Sequence, residues 1–182
     1  MRMRILIGGM LVLCVVGRGG ADNGSPYRNQ MNTEIRGLSD QEVSDLREGR
    51  GMGRARAAEL NGYPGPRHVL DAAQSGQLHL TPEQMQTAER LFNGMAREAR
   101  RLGEQILREE QSLEVAFRAG QISESELHAR TLRIAALEGE LRAVHLRAHI
   151  EMRAALSASE IQQYNVIRGY DVSPGHRHAP SH

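Results

Sequence analysis

The sequence predicts an all-α protein: a long antiparallel helical hairpin with short flanking helices. Three observations carry that prediction. Two long stretches repeat apolar residues at alternating spacings of three and four, the period of a helix face that packs. Segments at Ser39, Thr81, Ser123 and Ser157 each open on a Ser or Thr followed three residues later by Glu or Gln, the reciprocal capping pattern of a helix start. Aromatic residues make up 3% of the 182 and tryptophan is absent, so burial has to come from Leu, Ile, Val, Met and Ala. That composition favours helices over sheets.

In chain order, Met1 to Arg4 are basic and Ile5 to Val16 are apolar, followed by the small residues Gly19, Gly20 and Ala21. This is the pattern of a cleaved signal peptide over 1–21, and its apolar run is short of the roughly 20 residues a membrane span needs. Leu11, Val12, Leu13 and Cys14 offer the alternative of a lipidated Cys14, although Leu13 stands where a small residue is expected. Residues 22–38 are polar and contain Gly24 and Pro26 with no apolar period, the pattern of a flexible arm.

The helical domain spans 39–170. Its first helix starts at Ser39, is weakened at Gly49, Gly51 and Gly53, and resumes from Arg54 to Leu60 before Pro64 and Pro66 stop it. A short helix follows over His68 to Gln74. At Leu80-Thr81-Pro82-Glu83-Gln84 a capping threonine, a proline at the first helical position and a glutamine three residues on start the first long helix. Its seam is Met85, Ala88, Phe92, Met95, Ala99, Leu102, Ile106, Leu113 and Ala116, about 55 Å long if it runs to Ala119 at 1.5 Å per residue. Gly120 ends it, and Ser123 starts a second long helix with a facing stripe of Leu127, Ile134, Leu137, Leu141, Val144, Ala148 and Ala155. Leu132, Leu146 and Ile150 lie on a neighbouring face and call for a further partner, met by homodimerisation. Ser157 to Gly169 forms a last short helix, and 171–182 is a disordered tail with His176, His178 and His182.

Composition excludes several functions. The only cysteine lies in the leader, so the rest of the chain has no thiol ligand, nucleophile or disulfide. All 23 basic residues are arginine, and removing Arg2, Arg4 and Arg18 leaves 20 against 22 acids, which argues against a nucleic-acid partner. Gly49-Arg50-Gly51-Met52-Gly53 meets neither dinucleotide nor P-loop spacing, and no nucleophile elbow or His-Glu-x-x-His occurs, so no enzyme is expected. The protein is expected to work by binding.

The candidate metal ligands are His145 and His149, four apart on one helical face, with Met152 continuing that stripe and His68 near a helix end. Two imidazoles so placed suit Zn²⁺, Ni²⁺ or Cu²⁺, and a thioether favours copper. The same pair also reads as histidines that pack beside the seam and hydrogen-bond at a helix or subunit contact. His79 and His128 are weaker candidates, and the tail histidines can chelate without a fold. Arg90, Arg97, Arg100, Arg101 and Arg108 read either as a solvated face laced with ion pairs or as a cationic surface. Arg97 and Arg101, with Leu146 and Ile150, are the candidate contacts for a client or protein partner.

Leu80-Thr81-Pro82-Glu83-Gln84 is an LTxxQ motif, and Leu156-Ser157-Ala158-Ser159-Glu160 is a second copy with Glu160 in place of Gln. With the leader and long hairpin, this arrangement resembles the periplasmic Spy/CpxP family and the related CnrX-like and ZraP-like metal proteins, over about Leu38 to Tyr170. The resemblance implies a four-helix hairpin protomer, a dimeric cradle, a periplasmic location and no enzymatic activity. It implies either a metal-responsive sensor or accessory protein of the envelope-stress or heavy-metal-resistance type, or an ATP-independent chaperone that binds unfolded clients or a sensor-kinase domain. The sequence departs from the sensor pattern in having no histidine on its first helix and a His-x-x-x-His where that pattern has His-x-x-x-Met. A site using His68 or Glu59 stays open.

Overall fold

The structure, a computed structural model, describes residues 25–170. The segment read as a leader, with Cys14, and the histidine-bearing tail lie outside the described residues. Within them the chain is all-α: a short 3-10 turn at Arg28–Asn32 precedes α1 (Asp40–Glu48), α2 (Arg56–Glu59), α3 (Pro66–Gln74), α4 (Pro82–Arg118), α5 (Glu124–Ala155) and α6 (Ala158–Ile167). Among the described residues there is no strand, and no helix is long and apolar enough to cross a membrane.

Helices α1, α4, α5 and α6 begin where their capping residues dictate. Ser39, Thr81 and Ser157 make the full reciprocal box, their side chains accepting from the backbone N–H three residues on while Glu42, Gln84 and Glu160 reach back. Ser123 caps α5 in one direction only, accepting from the Glu126 N–H. The Glu126 carboxylate is taken instead by Arg130, one turn along. Helix α1 ends at Gly49, whose φ of 68° is the left-handed conformation glycine adopts cheaply.

Helices α4 and α5 pack along their lengths. Glu109 and Ser112, late in α4, meet Arg133 and Arg130, early in α5, while Gln84 at the start of α4 donates 3.1 Å to the Ala155 carbonyl at the end of α5. Along this pair lie two apolar cores. Leu102, Ile106 and Leu107 of α4 join Leu137 and Leu141 of α5, closed on one side by Val43 and Leu46 of α1. Nearer the other end, Ala88 and Met152 join Val69, Leu70 and Leu78 around the fully buried Tyr164 of α6.

Three expectations need correction. The segment read as a flexible arm is packed at its C-terminal end: Ile35 is 3% exposed in the first core, and the Arg36 N–H donates to Glu114 on α4. The α4 seam is also wider than the three-and-four spacing implies. Ala96, Gly103 and Leu107 are buried beside Ala88, Ala99, Leu102 and Ile106, whereas Met85, Phe92, Met95 and Leu113 are half-buried. Helix α4 takes α1 and α3 on further sides as well as α5, so its burial is not confined to one stripe. Finally, Met152 is a core residue with no exposed surface. A side chain packed with Val69 and Tyr164 fills apolar space and is not poised as a ligand.

Candidate functional site

Between the two cores the glycine-rich link from α1 to α2, together with α2, α3 and α4, encloses an open cleft of about 990 Å³ whose lining includes His145 and His149 of α5. One helical turn separates the two histidines and puts both on the face turned to this cleft. Both are buried, at 3% and 8% exposure.

His149 has a defined tautomer. Its Nδ1 lies 2.7 Å from the Tyr63 carbonyl, and a carbonyl only accepts, so Nδ1 carries the hydrogen and donates it. In the neutral ring the lone pair then sits on Nε2. The Tyr63 segment is itself pinned, because Arg153 donates to the neighbouring Gly62 carbonyl and stacks 4.7 Å over the Tyr63 ring.

Beside His149 lies Glu59, the one buried carboxylate among the described residues. Its two oxygens have different surroundings. Oε1 accepts from the Tyr164 hydroxyl at 2.6 Å, from Arg168 Nε at 3.2 Å and from the Tyr170 hydroxyl at 3.3 Å. Oε2 is buried without a hydrogen-bond partner, 3.6 Å from His149 Nδ1. Burial, and then the bond to Glu59, push the Tyr164 phenol far above its usual range, so it stays protonated and donates.

His145 lines the same cleft one turn earlier on α5. Its Nε2 is buried with no hydrogen-bond partner. Burial pushes its pKa down to about 4, with the charges of Arg54 and His149 adding to the shift, so the ring is neutral at ordinary pH. Arg54 is in turn held by Glu138 at 2.6 Å.

Gly65 shows why this corner is open. A Cβ there would stand 3.0 Å from His149 Nε2 and 3.5 Å from Glu59 Oε2, in the space between the two donors. Glycine leaves that space free. A carboxylate oxygen and imidazole nitrogens are the atom types that bind Zn²⁺, Ni²⁺ or Cu²⁺. Among the described residues no three such side chains stand close enough to hold an ion as placed, so closing a shell round one requires the rings to shift.

The remaining predicted residues fall elsewhere. His68 on α3 is exposed at the cleft rim. Arg97 and Arg101 are exposed and do not line the cleft, and Arg101 is paired with Glu98 at 2.6 Å. Ile150 is 58% exposed and Leu146 is half-buried on α5. The two LTxxQ copies meet: Gln84 accepts from the Thr81 N–H and its amide donates to Glu160 at 2.9 Å, beside Leu156 and Ser157. Sequence reasoning left Glu59 as an open alternative. Its signal is faint, one acid in a four-residue helix before a proline-rich stop, because its partners Tyr164 and Arg168 lie more than a hundred residues away.

The chain matches no family model, no curated protein and no solved structure.

Proposed function

We propose that this is an exported, periplasmic, all-α protein that acts by binding a transition-metal ion at Glu59, His145 and His149, as a metal-responsive sensor or accessory protein of the envelope. The carrying observation is the His149 Nδ1 hydrogen bond to the Tyr63 carbonyl. Metal-ligating histidines characteristically donate their other ring N–H to a carbonyl or carboxylate, which fixes the tautomer and aims the lone pair. Two further unpartnered donors, Glu59 Oε2 and His145 Nε2, support the reading. The Glu59 Oε1 bonds to Tyr164, Arg168 and Tyr170 link the site to α6 and the segment after it, which gives a bound ion a lever on that end of the molecule. No reaction is assigned, and the ion is the ligand itself.

Calorimetric titration of the full chain with Zn²⁺, Ni²⁺ and Cu²⁺ tests this. The expected result is one ion per chain that survives His176→Ala/His178→Ala/His182→Ala and is lost in His145→Ala/His149→Ala. Binding confined to the tail histidines sinks the reading. A second reading, an ATP-independent chaperone, is favoured by one observation: Val115, Phe117, Leu132, Ile150 and Val166 are each more than half exposed. Suppression of client aggregation without metal, undiminished by loss of both cleft histidines, is the outcome that selects it. Both readings include a homodimer that covers part of the α5 outer face.

A further inference from the structure

The charged side chains of the cleft are mostly cationic. Its walls carry Arg50, Arg56, Arg67 and Arg100 against only Glu48 and Glu59. Arg50 is committed to Asp45 and Glu48, and Arg67 to Asp71. Arg56 and Arg100 have no side-chain hydrogen bond or ion pair among the described residues. Two uncommitted guanidiniums therefore line the cleft a dication would enter, and like charges disfavour one another. Guanidinium instead pairs with carboxylate in a planar, two-bond fork.

Size points the same way. The cleft, at about 990 Å³, is at the upper end of small-molecule sites, which run roughly 300–1,000 Å³, whereas one water occupies about 30 Å³. The protein offers three donors at most, so positions on an ion remain for ligands it brings with it.

Resting on the metal reading above, we propose that the cleft takes its ion as an anionic chelate, a divalent transition metal already held by a small polycarboxylate. Glu59, His145 and His149 bind the metal at the floor, and Arg56 and Arg100 bind the free carboxylate oxygens at the rim. The apolar wall of Phe92 and Met95 covers the carbon skeleton.

Equilibrium dialysis of the full chain against radiolabelled citrate, with and without Ni²⁺, tests it. The expected result is one citrate retained per chain when Ni²⁺ is present and at least tenfold weaker retention without it. Arg56→Gln/Arg100→Gln should weaken metal-dependent citrate retention tenfold or more, whereas citrate-free Ni²⁺ binding should not weaken. Retention should vanish in His145→Ala/His149→Ala. If citrate strips the ion from the protein, or the arginine variant retains citrate normally, the chelate inference falls while the metal site stands. If no Ni²⁺ binds at the two histidines in either condition, the metal reading falls and this inference with it. Citrate retained equally without Ni²⁺ overturns the chelate in favour of a plain anion site.

Discussion

Single residues carry the site, and three of them make direct predictions. Gly65 has a φ of −84°, which any residue adopts, so Gly65→Ala tests space and not backbone strain. Its new methyl would press on the His149 ring. We expect at least tenfold weaker metal binding by calorimetry, with unchanged far-UV circular dichroism. His145 gives a pH dependence. The folded ring holds its pKa near 4, whereas an unfolded histidine titrates near 6.5, so below about pH 6.5 the unfolded chain takes up a proton that the folded ring refuses. Stability from this residue is complete above that pH and falls as the pH drops towards 4. Urea denaturation at pH 7 and pH 4.5 should show His145→Gln losing about 2 kcal/mol less between the two than the natural chain does. Gly103 is a packing test: a Cβ there would lie 2.0 Å from the Leu46 carbonyl oxygen, so Gly103→Ala must push α1 off α4. A loss of about 1–3 kcal/mol is expected in the same denaturation assay. At this scale the histidine pair was legible, because a four-residue spacing fixes a shared helical face whatever surrounds it. Glu59, Gly65 and Gly103 were not, since their roles are set by segments distant in the chain.

At the scale of elements, the capping residues did most to place the helices. Helices begin directly after Ser39, Thr81, Ser123 and Ser157 because each side chain satisfies a backbone N–H the first turn leaves unpaired. Gln84 does more than cap. It closes its own box and also ties α4 to the α5–α6 junction through Ala155 and Glu160. Gln84→Ala should therefore cost more than Ser123→Ala, which removes one exposed cap worth about 1 kcal/mol. Thermal unfolding of the two variants, compared side by side, checks the order, and equal losses would mean that the cross-link contributes nothing. What periodicity missed at this scale was the breadth of the α4 seam and the docking of Ile35. A helix with three neighbours has no single stripe, and one isolated apolar residue in a polar stretch has no period to detect.

At the scale of the whole molecule, two apolar cores hold the long helices together, and the cleft lies where the glycine-rich link between α1 and α2 crosses near both. The all-α class was readable from composition, caps and period because each reports local physics. The cleft was not readable, because its walls come from five helices and its charge balance emerges only when they meet. Our central claim is that this cleft holds one transition-metal ion through two imidazoles and a carboxylate, with Met152 left in the core. X-ray absorption of the Cu²⁺-loaded His176→Ala/His178→Ala/His182→Ala chain tests that most directly. The account predicts one copper per chain, scattering from two imidazoles and no sulfur neighbour; a thioether sulfur in the shell, or no bound copper, would contradict it.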